Sequence, residues 1–257
     1  MNLSNLAPAG YIQVGAQAFW STSTFTAAKA GIALVTIMGG GASGTKTALP
    51  GNSAPWGVKA IRMNAGDVLT FNIAAAIGGS SGAAIVGNTS TVQLNGVNVM
   101  VASGGEANSS TTSFTAVAAT VTGADFVMKG RQPAGAKSQC GGAAVDLGYG
   151  TCHPGGLVGD SSIAHMHNQT LGAPLGAYIP AFDLTIPANV QGYAQPGEGS
   201  SSEPRLSILF GGGNSAVNPT TLYPAGRGGS GGTAWSSGVA AAAGGAGYGY
   251  LRFFVKP

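Results

Sequence analysis

The residues that could carry out chemistry in this chain are few and far apart. Its eight carboxylates are scattered singly along 257 residues, whereas glycoside hydrolysis needs two of them facing each other. The glycine-rich run at residues 39–47 looks at first like a phosphate-binding loop, but Thr45 stands between Gly44 and Lys46. In a true loop of that kind the lysine follows the last glycine directly, so that it reaches the phosphates. We therefore expect a protein that is not an enzyme.

Two pairs of side chains could bind a metal or form a covalent link. His165 and His167 are separated by one residue, so an extended backbone places both imidazoles on the same side. Cys140 and Cys152 would form a short-loop disulfide in an oxidising exterior and would stay reduced in a cell interior. The cysteines and His153 together suggest zinc, but their spacing fits no standard finger. The alternative for the histidines is an ordinary polar loop.

Six aromatic residues fall in glycine-rich stretches outside the strand patterns, and they are our candidates for receptor contact. Rings in such places can stack on sugars or pack on a protein partner. The alternative is that each ring fills a gap in a core that has few large side chains. The candidates are Trp56, Tyr149, Tyr178, Tyr193, Tyr223 and Trp235.

Glycine is the outlier in the composition, at 45 of 257 residues. Ordering a glycine costs roughly 0.5–1 kcal/mol more than ordering an alanine, so the folded chain needs dense backbone hydrogen bonding, oligomerisation or both. Only 7% of the residues are charged and 44% are hydrophobic, which is unlike a disordered chain. The net charge of +3 is spread without clusters, so we expect no nucleic-acid partner. No apolar run is long enough to predict membrane insertion.

Short apolar runs next to glycine clusters predict the strands that must position these residues. Residues 32–38 end at three successive glycines and residues 250–255 follow another cluster; we expect these two strands to pair. Residues 58–63 and 68–73, separated by Asn-Ala-Gly-Asp, predict a hairpin. The Asn95-Gly96 dipeptide between alternating runs predicts a second, tighter hairpin.

Glycines at multiples of three in residues 135–159 suggest polyproline II or polyglycine II geometry, which has three residues per turn and no internal hydrogen bonds. Segments of this kind are stable only when they bond laterally to neighbours. We therefore expect a mainly β, oligomeric protein with a sandwich-like strand core and glycine-rich excursions. It would form a single domain over residues 1–257, with residues 106–225 as an insertion.

The order of these motifs resembles the glycine-rich domains of bacteriophage tail-fibre and receptor-binding proteins. Residues 25–41 are similar to the opening of those domains, an extended segment followed by a strand that ends in three glycines. Residues 58–79 are similar to its second strand, turn and third strand, and residues 226–255 to its closing glycine pairs and terminal strand. The match covers residues 19–105 and 226–255. Lys29 and the alanine before it stand where the family tends to have proline.

The resemblance implies a homotrimeric virion protein of the tail or fibre, assembled in the bacterial cytoplasm beside other virion tail proteins. It would bind a host cell-surface receptor, either a glycan or an outer-membrane protein. In trimeric phage spikes, His-x-His from three chains can supply six nitrogens to one axial iron, and His165 and His167 would take that role; otherwise we expect no cofactor. The alternatives are a purely architectural tail-tip or capsid-fibre subunit without receptor contact, and a free ice- or glycan-binding protein.

Overall fold

The computed structural model describes residues 8–44, 51–79, 83, 85–107, 119–129, 227–228 and 243–257, together with the backbone of 178–179 and 184–185. Within these residues the protein is all β, with twelve strands and no helices. The strands are Ile12–Phe19 (β1), Ser23–Thr26 (β2), Gly31–Met38 (β3), Trp56–Met63 (β4), Val68–Asn72 (β5), Ser90–Leu94 (β6), Val97–Ala102 (β7), Val121–Thr122 (β8), Phe126–Met128 (β9), Tyr178–Ile179 (β10), Leu184–Thr185 (β11) and Tyr248–Val255 (β12).

Five strands form the first antiparallel sheet, in the order β1, β12, β3, β4, β9. The strongly apolar strands β3 and β12 lie side by side in its interior, with Val35 opposite Leu251. This confirms the predicted pairing of the first long strand with the last. All eight residues of β12 are buried. A strand covered on both faces is largely apolar on both, which is why β12 does not alternate, although it also buries Arg252.

Five further strands form the second antiparallel sheet, in the order β2, β5, β6, β7, β8. Its β6–β7 hairpin confirms the prediction from the Asn95-Gly96 dipeptide. Asn95 has a φ of 50° and Gly96 a φ of 83°. Two consecutive residues in this region define the turn whose twist matches the flanking strands. Strands β10 and β11 form a separate antiparallel pair.

The predicted hairpin between residues 58–63 and 68–73 is wrong, because these strands belong to different sheets. Strand β4 pairs with β3 and β9, whereas β5 pairs with β2 and β6. The turn between β4 and β5 connects the two sheets, and so does the connection between β2 and β3. We call these two connections the crossings, and they lie next to each other. Two backbone hydrogen bonds hold the crossings together, from Ala27 N to Asp67 O (2.9 Å) and from Gly66 N to Ala27 O (2.8 Å). Turn-forming residues predict that the chain changes direction, but they do not predict which sheet the next strand joins.

The two sheets share one apolar core. Phe19 of β1 stacks on Phe71 of β5 with ring centroids 3.8 Å apart, and Phe25 of β2 lies against Phe253 of β12 at 5.2 Å. The odd-numbered residues of β3 from Ala33 onward and those of β12 supply much of the inner face of the first sheet. The strands therefore form a β-sandwich, which is held together by the packing of side chains between the sheets.

Candidate functional site

Seven segments lie side by side at one end of the sandwich, of which six are extended and one, residues 227–228, is a turn. Six of them closely follow or precede a strand, so each has one end at the sandwich and the other end away from it. We call these segments the glycine bundle and their far ends the distal end. The segments are residues 39–44, 51–55, 74–79, 85–89, 103–107, 227–228 and 243–247.

Segment 39–44 is the centre of the bundle, because its successive backbone N–H groups donate to different neighbouring segments. In order along the chain, the pairs are Gly39 N to Pro55 O (3.2 Å), Gly40 N to Asn88 O (2.9 Å), Gly41 N to Gly245 O (2.9 Å), Ala42 N to Asn52 O (3.1 Å) and Ser43 N to Ile85 O (3.0 Å). The fourth and fifth donors return to the segments that accept from the first and second. The direction of donation therefore repeats every three residues, whereas the period of a β-strand is two.

The other six segments are hydrogen-bonded to one another in a closed ring. Around the ring, the bonds run from Asn52 N to Glu106 O (3.1 Å), Gly87 N to Gly105 O (2.9 Å), Asn88 Nδ2 to Ala75 O (3.0 Å), Ile77 N to Gly244 O (3.3 Å), Gly228 N to Ala246 O (2.7 Å) and Ala54 N to Gly228 O (2.7 Å). All residues of segment 39–44 are buried inside this ring. Backbone groups thus satisfy one another across the bundle almost without help from side chains.

The segments approach so closely that side chains cannot lie between them. A methyl group on Gly87 would overlap the carbonyl group of Gly40, and one on Gly104 would overlap the carbonyl group of Gly87. The obstructing atoms are backbone, so they cannot swing aside as the end of a flexible side chain would. Gly78, by contrast, has open space around it. Contact distance is therefore the reason for glycine at the two crowded positions.

An arginine side chain joins the bundle to the sandwich. Nη1 of Arg227 donates to the carbonyl oxygens of Trp20 (2.7 Å) and Gly247 (2.6 Å), and its guanidinium lies 5.0 Å from the centre of the Trp20 ring. Trp20 also meets Tyr248 edge-on at 4.8 Å. Burial lowers the pKa of Arg227 and raises the pKa of Tyr248 to about 12, so the phenol is uncharged at neutral pH.

Two exposed apolar side chains stand at the distal end, and the sequence analysis missed them. Ile85 is 44% exposed and Val86 is 55% exposed. Ser43 fixes their position, because its Oγ accepts a hydrogen bond from Ile85 N (2.8 Å) and its own N–H donates to Ile85 O. The available signal is two adjacent large apolar residues between Gly82 and Gly87, in a stretch otherwise made of small residues. Exposed apolar side chains on a fixed backbone can bind with little loss of conformational entropy.

The opposite end of the sandwich carries an apolar groove of about 370 Å³ between β1 and β2, the outermost strands of the two sheets. A β-bulge between Gln13 and Gly15 bends β1 there, and the neighbouring Ile12 and Val14 are about half exposed. Bulges commonly redirect side chains in this way. We call this feature the basal groove. It is lined by Val14, Gly15, Phe25, Thr26, Ala28, Lys29, Phe253 and Val255.

The prediction that Trp56 lies in a loop outside the strands is wrong. Trp56 is the first residue of β4, pairs with Met38 and is only 7% exposed. Its ring packs on Phe126 with centroids 5.7 Å apart. The cue fails because Trp56 stands between Pro55 and Gly57, and proline and glycine are typical of turns. The structure gives Trp56 a packing position where the bundle joins the sandwich.

Most of the other predicted site residues lie outside the described residues. The predicted placement of Tyr178 outside the strands is also wrong, because its backbone belongs to β10 and pairs with Thr185 of β11. The residues outside the description are Tyr149, Tyr193, Tyr223, Trp235, His165, His167, Cys140 and Cys152. Their roles in receptor contact, metal binding and disulfide formation therefore stay predictions.

Comparison with known proteins leaves the family of the chain open. No protein-family model matches it, and no curated protein matches it at a significant level. Among the described residues, His, Cys, Asp and Glu side chains nowhere gather in groups of three or more that could hold a metal ion. The same residues include no helix with the length and apolar character needed to span a membrane.

Proposed function

We propose that the chain is a bacteriophage tail-fibre or tail-tip adhesin, which binds a bacterial surface receptor without catalysing a reaction. The observation that carries this proposal is the glycine bundle. Its segments project from one end of the sandwich, and exposed apolar side chains lie at its distal end. The order of sequence motifs supports the same family. In this proposal the protein works as a homotrimer in the virion, next to other tail proteins.

The bundle is assigned polyglycine II geometry in this proposal. The support is its three-residue period of lateral hydrogen bonds, since a polyproline II helix has three residues per turn and no internal bonds. Such an array needs no side-chain core, so it can be long, thin and rigid. A rigid stalk of this kind suits display, because the recognition residues at its end are ordered before the receptor arrives.

Recognition is placed at the distal end, where Ile85 and Val86 are exposed. Two apolar side chains offer only weak contact with one receptor. Adhesion then depends on several copies of the site on one virion, each of which binds one of many identical receptors. The total binding strength comes from this avidity. The receptor, a glycan or an outer-membrane protein, would meet a surface with little charge, and binding should therefore vary little with salt.

Binding of the purified chain to host cells tests this function, with competition against phage infection as the readout. We expect wild-type protein to block infection, and the double variant Ile85→Ser with Val86→Ser to block it at least tenfold less well. Val97→Ser is the matched control, because Val97 is 68% exposed at the opposite end of the sandwich. Equal competition by both variants would contradict a distal recognition surface, and no competition by wild type would contradict the adhesin function.

A purely architectural role is the second candidate, and the basal groove is the observation that favours it. An exposed outermost strand next to an apolar groove suits an extended segment from another virion protein. Lys29 at the groove favours a segment that carries a carboxylate. If Val14→Lys prevents incorporation of the chain into particles, while wild-type protein never competes for host cells, the architectural role replaces the adhesin function.

A further inference from the structure

The turn between β6 and β7 contains the one Asn-Gly dipeptide of the sequence. In an asparagine followed by glycine, the glycine N–H can attack the asparagine side chain, because no Cβ on glycine hinders the approach. Asn95 and Gly96 form this sequence at an exposed turn. Both residues are exposed, and no atom lies within 4 Å of the place where a Cβ on Gly96 would be, so the glycine stands in open space.

The side chain of Asn95 is nevertheless held at both of its polar atoms. Its Oδ1 accepts a hydrogen bond from Val68 N (2.9 Å), and its Nδ2 donates to Oδ1 of Asp67 (2.9 Å). The backbone adds a third link, from Asn95 N to Val68 O (2.9 Å). The carboxylate is itself anchored, because Oδ2 of Asp67 accepts a hydrogen bond from Asn64 N (2.6 Å). These contacts join the β6–β7 turn to the crossing between the two sheets.

We infer that Asn95 is a deamidation site and that its hydrogen bond to Asp67 controls the rate of the reaction. Gly96 N forms a bond to Cγ of Asn95 and gives up its proton, the Cγ–Nδ2 bond breaks, and ammonia leaves. Water then opens the cyclic imide at either carbonyl, which yields aspartate or isoaspartate. The reactants are the side-chain amide and one water, so no oxidant or other partner is needed.

Asp67 slows this reaction because its hydrogen bond to Nδ2 restrains the Asn95 amide, which must give up this contact before ammonia can leave. Hydrogen bonds from Asn95 and Asn64 lower the pKa of Asp67, so the carboxylate stays charged at neutral pH. Deamidation removes the Nδ2 donor and places a second carboxylate beside the first. Like charges repel at that distance, so the product turn is released from the crossing between the sheets. The reaction therefore loosens, irreversibly, the end of the sandwich that carries the basal groove.

Peptide mapping of the full-length protein during incubation at pH 8 tests the inference, with isoaspartate at residue 95 as the readout. Asp67→Ala removes the acceptor and should raise the rate about tenfold, the factor that corresponds to one charge-assisted hydrogen bond. Asp67→Asn keeps a carbonyl acceptor and should stay within about threefold of wild type. Asn98 in the same hairpin precedes valine, which hinders attack, so it serves as the internal control.

Circular dichroism of each variant shows whether the sandwich is folded, so that a general loss of structure is recognised. If Asp67→Ala does not fold, Asn95→Asp in an otherwise wild-type chain should still lower the midpoint of denaturation relative to Asn98→Asp. The inference is overturned if folded wild type deamidates as fast as denatured wild type. It is also overturned if folded Asp67→Ala and wild type react at the same rate, or if Asn95→Asp and Asn98→Asp have the same midpoint.

Discussion

The sandwich and the glycine bundle are held together in opposite ways. Between the sheets, buried rings such as those of Phe19 and Phe71 provide the contact, whereas the backbone hydrogen bonds that pair the strands lie within each sheet. In the central bundle segment the largest side chain is that of Ser43, and backbone N–H groups donate outward in three directions. The sandwich therefore depends on side-chain volume, whereas the bundle depends on its absence.

This difference predicts different responses to substitution. A core can be refilled by another apolar side chain of similar size, because its cohesion is non-directional. A backbone-to-backbone contact has no such freedom, since even one methyl group forces the segments apart. The four predictions below test this contrast, beginning with the largest effect.

Gly87→Ala should destabilise the protein by about 5 kcal/mol. Its methyl group would overlap the carbonyl group of Gly40 and separate segments joined by two backbone hydrogen bonds and one bond to the Ser43 side chain, and each buried group left unpaired costs roughly 1–3 kcal/mol. Denaturant unfolding measures the change. Gly78→Ala is the matched control, because open space surrounds Gly78, and it should change stability by less than about 1 kcal/mol. Equal stability of the two variants would contradict the account of the bundle.

Phe71→Ala should destabilise the sandwich by about 4 kcal/mol, because it removes a buried ring that stacks on Phe19. Phe71→Leu keeps most of the volume and should lose less than about 1.5 kcal/mol. Thermal and denaturant unfolding measure both variants. A loss as large for leucine as for alanine would mean that the sandwich is as intolerant of substitution as the bundle.

Arg227→Met should destabilise the junction between bundle and sandwich by about 2 kcal/mol. The change keeps much of the side-chain length and removes the donor to Trp20 O and Gly247 O. Arg227→Lys restores a cation and should recover part of the loss, though not the fixed planar geometry in which Nη1 donates to both carbonyl oxygens. Tryptophan fluorescence during unfolding gives the measurement, and an unchanged transition in Arg227→Met would refute a bridging role.

Stability should fall by up to about 2 kcal/mol as the pH rises from 10 to 12. Burial raises the pKa of Tyr248 to about 12, above its ordinary value of 10, so the unfolded chain loses this proton first and is favoured at alkaline pH. Below pH 10 the contribution is fully present. Tyr248→Phe has no proton to lose, so its stability should decline less over this interval. Identical pH profiles for the two proteins would contradict the burial of the phenol.

Much of the sandwich could be predicted from the sequence, because its signals are local. The β-branched run that includes Val35 and Ile37 marks a buried strand, and Asn95-Gly96 marks a turn of one type. The sheet to which β5 belongs could not be predicted, since the crossing at Gly66 depends on a bond to Ala27 from a distant part of the chain.

The candidate site was harder to predict than the strands. Glycine clusters indicate close backbone contact, but they do not say which segments touch, since glycine has no side chain that specifies a partner. The ring around Gly41 joins segments from most of the chain length. Ile85 and Val86 become notable only when the ring places them at its far end. Trp56 is the opposite case, because its proline and glycine neighbours predict an exposed loop, whereas the residue is packed in a strand.

Amide hydrogen exchange in segment 39–44 tests the central claim most directly. If backbone bonds hold the bundle together, the amides of Gly40, Gly41 and Ala42 should exchange within about tenfold of the amides of Val35 and Ile37 in β3. Exchange of these three amides at the rate of an unstructured chain, while β3 stays protected, would show that the glycine segments do not form a bonded array.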